Sequence, residues 1–181
     1  GDDLEQVIVE GINSAQVSVD MAIQELRLPK IAQALVAKHR SGVNVRVVLE
    51  NSYSRPWSDF TAAEVEKLGE RERGKYQEFV QLVDRNQDGQ ISPEEISQGD
   101  ASVVLRNGGI PILDDRADNS RGSDLMHHKF LVIDGQTTIT ASANFTTSDV
   151  HGDFSSNTSR GNTNNLLKIN SPEVAQLFTQ E

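Results

Sequence analysis

The sequence predicts an α/β protein with a mixed β-sheet flanked by helices and a small helical insert. Three observations lead to this fold class. Near the start of the chain a strand, a helix and a second strand follow one another, an order typical of a βαβ unit with parallel strands. Further along, two strands flank an Asp-Gly pair, which favours a hairpin. Between these regions, a stretch with the spacing of a calcium loop interrupts the pattern.

The composition limits the class of protein. The 181 residues are enough for one ordinary domain with its own core, alone or with a small insert. The absence of cysteine excludes a disulfide scaffold, thiolate catalysis and cysteine-ligated metals. No apolar run approaches the roughly 20 residues that span a bilayer. We therefore expect a soluble protein without a transmembrane segment.

The first third of the chain contains the βαβ unit. Apolar residues at near-helical spacing predict a helix over Leu4–Ser14. Alternating apolar residues predict a strand over Val17–Ile23, and a β-branched run predicts another over Val43–Leu49. Between the two strands, Pro29 suits the first turn of a helix that Gly42 ends. The two strands are therefore expected to be parallel neighbours.

The second half of the chain predicts more strands and a closing helix. After a short helix from Asp100, the pattern predicts strands over Ile110–Leu113, Leu125–Ile133 and Gln136–Ala141, a polar loop over 114–124, and a last helix opened by Pro172. These elements complete the sheet that the βαβ unit begins.

A Ser/Arg/Pro/Trp stretch over 51–58 marks a boundary, and residues 61–83 are helical in pattern. We expect one α/β domain, residues 1–57 plus 101–181, with an insert at 58–100. The insert holds eleven acidic and five basic residues, so it contributes most of the net charge of −10. Overall acidity disfavours a general nucleic-acid binder, but this argument is weak for the remainder of the chain.

The insert contains a candidate calcium loop. Its twelve residues match the EF-hand pattern, with Gly89 at the sharp turn in position 6. The expected ligands are Asp84, Asn86, Asp88, Gln90 through its carbonyl, Ser92 and Glu95. Because crowded carboxylates repel one another without a cation, we expect structural or regulatory Ca²⁺ there. The alternative is a surface turn that only resembles a site, and Gly99 and Asp100 do not suit the exit helix.

The predicted hairpin carries the candidate catalytic residues. If residues 134–135 form a two-residue turn, strand alternation places His127 and Lys129 on one face. Ser142 then lies opposite His127, with Asn144 close by. An ammonium within an apolar strand is costly without a partner. A phosphate is the natural partner, because the hydroxyl and amide groups supply further donors.

These residues resemble the signature of the phospholipase D superfamily. His127, Lys129 and Asp134 have the spacing HxKxxxxD, and the segment 141–144 resembles the GSxN element with alanine in place of glycine. The opening βαβ unit and the segment 165–169 are also similar to this family. The resemblance covers nearly the whole chain outside the insert.

The resemblance implies a phosphodiesterase that cleaves or transfers phosphodiesters, of phospholipid or nucleic acid, through a phosphohistidine intermediate. It also implies that no metal, and hence no Ca²⁺, takes part in the chemical step. It implies His127 as the nucleophile or the leaving-group acid, Lys129 and Asn144 as phosphate-binding groups, and Ser142 as an orienting residue. Asp134 belongs to the motif, but at a turn it is too far away for a direct acid–base role.

Two departures from the family pattern bear on activity. The family site combines two such motifs and this chain has one, so we expect the other from an identical chain in a homodimer or from a C-terminal second half. Asn164 stands where family members often have a glutamate that orients the imidazole, and an amide adds no charge. The alternatives are a catalytically weak, calcium-binding interaction domain or the regulatory half of a longer enzyme. The compartment is open, with an extracytoplasmic setting slightly favoured.

Overall fold

A mixed sheet organises the fold. The structure, a computed structural model, describes residues 3–114, 116, 125–154 and 158–181. Within these ranges six strands form one sheet in the order β3-β2-β1-β4-β5-β6. They are β1 (Ser18–Ile23), β2 (Asn44–Leu49), β3 (Ile112–Asp114), β4 (Lys129–Ile133), β5 (Thr137–Ala141) and β6 (Leu166–Asn170). The predicted fold class is confirmed.

The helices flank the sheet and build the insert. They are α1 (Leu4–Ser14), α2 (Pro29–Arg40), α3 (Ala62–Glu66), α4 (Glu70–Val83), α5 (Pro93–Gly99), α6 (Ala101–Asn107), α7 (Thr147–Val150) and α8 (Pro172–Gln180). Asp3 caps α1 by accepting from the Gln6 N–H, and Pro29 opens α2 as predicted. The structure has two helices, α3 and α4, where one helical stretch was predicted over 61–83. The helix is interrupted between Glu66 and Gly69, which is the N-cap of α4.

The strand pairing brings distant segments of the chain together. β1 is parallel to β2, and β2 is parallel to β3, which confirms the βαβ unit. β1 is antiparallel to β4, with Ile23 opposite Lys129. The residues that follow β1 therefore lie beside those that precede β4, and this is where the candidate site forms.

The predicted two-residue turn of the β4–β5 hairpin is wrong. Ile133 pairs with Thr137 rather than with Gln136, so the connection has three residues. Asp134 and Gly135 have positive φ angles of 53° and 61°, and the Gln136 N–H donates to the Ile133 carbonyl at 2.9 Å. The pairing register is consequently shifted by one residue.

This shift corrects the expected strand partners of the site. The β4–β5 ladder ends with Phe130 opposite Thr140, so the expected pairing of His127 with Ser142 is wrong. The strand predicted over 125–133 begins only at Lys129. His127 thus precedes the strand, although the neighbouring His128 carbonyl accepts from the Gln24 N–H at 2.9 Å.

The main core lies between the sheet and the helices α1, α2 and α6. On this face, Lys129 is in line with the buried residues Leu131 and Ile133 of β4, in the alternation of a strand. The opposite face is covered by α8, where Phe130 packs edge-on against Phe178 with ring centroids 4.9 Å apart. Lys129 therefore points toward the main core from its edge.

A second hydrophobic cluster joins the insert to the residue that precedes it. Trp57, Phe79 and Val83 are buried there, and Tyr76 and Ile91 pack against them. The division into a domain of residues 1–57 plus 101–181 and an insert at 58–100 remains a prediction, and Trp57, on the domain side of that boundary, packs with the insert.

The polar loop predicted over 114–124 falls largely outside the described residues, which omit 115 and 117–124. Within the described ranges, no helix combines the length and apolar character needed to cross a bilayer.

Candidate active site

The ammonium of Lys129 is the centre of the site. Its side chain is buried, with 7% of the residue exposed. Nζ donates to Gln24 Oε1 at 2.9 Å and to the His127 carbonyl at 3.0 Å. Burial lowers the pKa of Lys129, while the negative charge of Asp149 opposes this shift. Among the described residues the ammonium has only these two neutral acceptors, so its third N–H remains available to a ligand.

His127 precedes β4 and contacts this ammonium through its backbone. The residue is exposed, and its backbone carbonyl is the one that accepts from Lys129. The backbone of the candidate nucleophile therefore lies next to the candidate phosphate-binding lysine.

The segment after β5 is held by the segment after β1. The Phe145 N–H donates to the Glu25 carbonyl at 3.0 Å, and the Phe145 carbonyl accepts from the Arg27 N–H at 2.8 Å. These bonds fix Asn144, whose Oδ1 is buried without a partner among the described residues. An orphaned buried acceptor is costly, and a bound donor group would satisfy it.

Ser142 contacts Asn164, the residue at the expected glutamate position. Ser142 Oγ donates to Asn164 Oδ1 at 2.8 Å and accepts from the Asn165 N–H at 3.0 Å. The Asn164 amide nitrogen donates to the Asp149 carbonyl at 2.9 Å. The hydroxyl of Ser142 is thus directed towards the segment before β6 rather than towards β4.

A cavity of about 220 Å³ adjoins Asn144 and Asp149. Its opposite wall is α4 of the insert, through Lys75 and Glu78. Burial raises the pKa of Glu78, and the charges of Asp153 and Glu25 add to the shift. The insert therefore borders the candidate active site.

Asp134 lies at the far end of β4. Its carboxylate accepts from the backbone N–H groups of Gln16, Val17 and Ser18 at 2.7–3.1 Å. Burial alone would raise the pKa of Asp134, but these three donors outweigh it and lower the pKa. Asp134 therefore lies at the opposite end of β4 from Lys129, and its lack of a direct acid–base role remains a prediction.

The candidate calcium loop is folded around its own side chains. The Asp84 carboxylate accepts from the Gly89 N–H at 2.9 Å, and Gly89 has a φ of 78°. Glu95 reaches back to the Arg85 N–H at 3.0 Å and forms a capping box with Ser92. Bonds from the Ser92 N–H and hydroxyl, and then from the Asn86 and Arg85 N–H groups, lower the Glu95 pKa to about 2.

The three acidic side chains expected to bind calcium, Asp84, Asp88 and Glu95, are not grouped as a metal site requires. Among the residues that the structure describes, no group of three or more acidic or histidine side chains is close enough to hold a metal ion. Glu95 would have to leave Ser92 to complete a calcium shell. Calcium binding therefore remains a proposal.

Comparison with protein-family models identifies the family to which this chain belongs. The family model described as cardiolipin synthase, PLD-like domain, matches residues 8–181, nearly the whole chain. The chain belongs to the PLD-like domain family. Members of this superfamily are phosphodiesterases that act on phosphodiester substrates, which agrees with a buried lysine at the start of β4 and an exposed histidine two residues before it.

Curated relatives are similar to this PLD-like domain. Mitochondrial cardiolipin hydrolase of Xenopus laevis is 29% identical over 133 residues, which cover 73% of this chain and 41% of the relative. The protein of the same name from Homo sapiens is 24% identical over 174 residues, covering 96% of this chain and 47% of the relative. This chain thus spans less than half the length of these relatives.

Solved structures share the fold of this PLD-like domain. The phospholipase D family member Nuc from Salmonella typhimurium superposes with a TM-score of 0.53 at 20% identity, covering 97% of this chain and 82% of Nuc. Phosphatidylserine synthase from Haemophilus influenzae gives a TM-score of 0.51 at 15% identity, covering 99% of this chain and 34% of that one. Both likenesses concern the fold.

Two residues of this PLD-like site lie outside the motif and were not predicted from the sequence. Gln24 supplies an oxygen to Lys129, and its position next to β1 becomes meaningful only once β1 is known to pair with β4. Asp149 binds the Asn144 N–H at 2.8 Å. Its signal in the sequence is a carboxylate five residues after the motif asparagine, which alone is too weak to single it out.

Proposed function

We propose that this domain is a phosphodiesterase of the phospholipase D type, which cleaves or transfers phosphodiesters through a phosphohistidine intermediate. The observation that carries the proposal is the buried ammonium of Lys129 with two neutral acceptors and one remaining N–H. A buried cation of this kind is stabilised by an anionic ligand. A phosphate between Lys129 and Asn144 would also lie within reach of the exposed His127.

The proposed chemistry runs in two displacements. In the first, the neutral imidazole of His127 attacks phosphorus, an N–P bond forms, and the P–O bond to the leaving group breaks. A second, protonated imidazole gives its proton to the leaving oxygen. That imidazole then takes a proton from water or an alcohol, whose oxygen displaces His127 from phosphorus. Lys129 and Asn144 stabilise the equatorial oxygens throughout.

The second imidazole must come from another HxK motif. We propose that an identical chain in a homodimer or a C-terminal second half supplies it, and that in the symmetric case each His127 takes one of the two roles. The curated relatives are more than twice as long as the part that matches this chain, so they contain further sequence in which a second motif could lie.

The test is hydrolysis of bis(p-nitrophenyl) phosphate by the chain and by a longer chain carrying any second motif. His127→Ala should lower kcat at least about a thousandfold, because it removes the nucleophile. His128→Ala is the matched control, because that exposed imidazole packs near Phe130 and makes no contact with Lys129. It should keep near-normal turnover.

Loss of activity in both histidine variants alike, or no turnover from dimer and longer chain, would contradict the proposal. Calcium binding without turnover would instead favour the weak interaction domain or the regulatory half.

Substrate class is tested with the same variants. The names of the curated relatives favour a phospholipid such as cardiolipin for this chain, and single-stranded DNA is the competing substrate. Vesicles containing cardiolipin and an end-labelled oligonucleotide should be compared at equal phosphodiester concentration. Release of lipid product that depends on His127 supports the lipid class, and His127-dependent cutting of DNA supports the nucleic-acid class.

We also propose that the loop from Asp84 to Glu95 binds one Ca²⁺ with a structural or regulatory role. The side-chain oxygens of Asp84, Asn86 and Asp88, the Gln90 carbonyl, Ser92 and Glu95 would be the ligands. The folded loop, with Gly89 in the left-handed region and Glu95 already inside it, supports this. To bind the ion, the Glu95 carboxylate must give up its hydrogen bonds with Ser92.

Calorimetric titration with Ca²⁺ tests the loop. Wild-type protein should bind one equivalent, and Glu95→Gln should weaken binding at least about tenfold, since it removes a bidentate carboxylate. Glu94→Gln is the control, because Glu94 is exposed and its carboxylate accepts from Gln98 rather than from a residue of the loop. No heat at millimolar Ca²⁺ would contradict calcium binding. Chelator should leave turnover of bis(p-nitrophenyl) phosphate intact if the ion takes no part in the chemistry.

A further inference from the structure

Asp149 lies at the centre of the polar segments around Asn144, and we propose that it supplies the negative charge that Asn164 lacks. It is a positioning residue: it holds the backbone of Asn144 and acts on the Lys129 ammonium through its charge. The inference rests on the proposed function, because it concerns the phosphate-binding groups of that site.

The contacts of Asp149 tie three segments together. Oδ2 accepts from the Asn144 N–H at 2.8 Å, and Oδ1 accepts from the Asn162 amide at 2.6 Å. Its backbone carbonyl accepts from the Asn164 amide at 2.9 Å. A single half-buried residue therefore links the motif asparagine to the segment that carries the substituted glutamate position.

Asp149 lies beside the position where family members often have the glutamate, since its backbone carbonyl accepts from the Asn164 amide. The oxygen of Asn164 is used by Ser142 and is neutral. Asp149 is the charged group that raises the pKa of Lys129 against the effect of burial. It does so without forming an ion pair with the ammonium, so Lys129 keeps an N–H for a phosphate.

Other charged groups also line the cavity. They are Glu25, Arg27, Arg71, Lys75, Glu78 and Asp100. Glu25 is paired with Arg27 and Lys75, and Asp100 caps α6. The adjacent His151 is paired with Glu5 at 2.7 Å. Among the described carboxylates, Asp149 is the one bonded to Asn144.

The experiment measures the pKa of Lys129 by NMR titration of its ¹³Cε resonance, assigned by its loss in Lys129→Arg. Asp149→Asn should lower this pKa by about half a unit to one unit, because an opposing negative charge is lost. The alkaline limb of kcat/KM for bis(p-nitrophenyl) phosphate should move to lower pH by the same amount. Turnover near neutrality should fall about tenfold, because an uncharged amide oxygen holds the Asn144 N–H more weakly than a carboxylate does.

Asp153→Asn is the matched control, since Asp153 is exposed and contacts Ser159 rather than Asn144. It should leave the Lys129 pKa and the pH profile unchanged. Asp149→Asn combined with Asn164→Glu returns the charge to the family position and should restore the Lys129 pKa and part of the activity. The double variant also serves if Asp149→Asn alone fails to fold.

An unchanged Lys129 pKa in Asp149→Asn, an equal shift in Asp153→Asn, or a lowered pKa in the double variant would overturn the inference. The titration needs no turnover. A wild-type protein that cleaves nothing would contradict the proposed function, and the Lys129 pKa would still decide the role of Asp149.

Discussion

Asp134 shows how one motif side chain can serve the fold. Its carboxylate collects three successive backbone N–H groups at the entry to β1, and its own N–H donates to the Ser18 carbonyl at 2.9 Å. Backbone donors at a strand start would otherwise need water. The motif aspartate thus fastens the hairpin to the neighbouring strand.

Asp134→Asn should lower the free energy of unfolding at pH 7 by about 1.5–3 kcal/mol, the range for hydrogen bonds to a charged acceptor. Because folding lowers the Asp134 pKa below its ordinary value of 3.8, this stability is complete above that value and is lost as pH falls through the folded pKa. Urea unfolding from pH 7 to pH 2.5 checks this. Asp153→Asn should show no such difference, and a pH-independent loss would contradict the role of the charge.

The same residue explains why the hairpin register was predicted one residue out. Asp-Gly favours a two-residue turn locally, and that is what the sequence indicates. In the structure Asp134 adopts a φ of 53° and starts a three-residue loop, which directs its carboxylate towards residues 16–18. The deciding contact spans more than 110 residues, so no local pattern contains it.

At the scale of elements, α6 and α2 approach closely at Gly108. A methyl group added at Gly108 would collide with the γ-carbons of Val36. The φ of Gly108 is −76°, so the requirement is one of space and not of backbone conformation. The absence of a side chain is what lets these helices touch.

Gly108→Ala should therefore cost about 1–3 kcal/mol, as expected for overpacking. Gly74→Ala, in the exposed middle of α4 with nothing within 4 Å, is the matched comparison. It should be neutral or stabilise by up to about 1 kcal/mol, because alanine is the better helix former. Chemical denaturation of both variants gives the measurement, and equal effects would refute the steric explanation.

Elements with strong local signals were predicted closely. α1 matches its predicted range, and β1 and β2 differ from theirs by one residue, because apolar periodicity and β-branching decide them. β4 is shorter than predicted at its start, since polar contacts around Lys129 replace the ladder there. Within the insert, the interruption between α3 and α4 was not predicted, because a single glycine, Gly69, is a weak helix-breaking signal on its own.

For the whole molecule, the contact between insert and active site is an ion pair. Lys75 Nζ lies 2.6 Å from Glu25 Oε2, and the Glu25 side chain is 3% exposed. Glu25 also binds Arg27 at 3.2 Å. Because the Glu25 carbonyl anchors Phe145, this pair connects α4 with the segment that carries Asn144.

Lys75→Met should loosen α4 while leaving the sheet intact, since Glu25 loses one of two cationic partners. Amide hydrogen exchange over residues 70–83 should accelerate about tenfold, and exchange in β1 and β4 should stay slow. Lys67→Met is the control, because Lys67 is exposed and forms no ion pair in the described part of the chain. Equal acceleration in both variants would show that the ion pair does not hold the helix.

The site as a whole was only partly predictable. His127, Lys129, Ser142 and Asn144 follow from motif spacing. The residues that hold them, among them Gln24, come from segments that meet only after β1 pairs with β4. Such contacts depend on the order of the strands in the sheet, which local sequence patterns do not show.

The anchoring of β1 by Asp134 has a mechanical consequence. That end of β1 is fastened by four bonds, and three of them depend on one carboxylate. Replacing this carboxylate releases three links at once, whereas the end around Gln24 is held by bonds from several separate groups. A single substitution can therefore loosen one end of the central strands and leave the end that carries Lys129 in place.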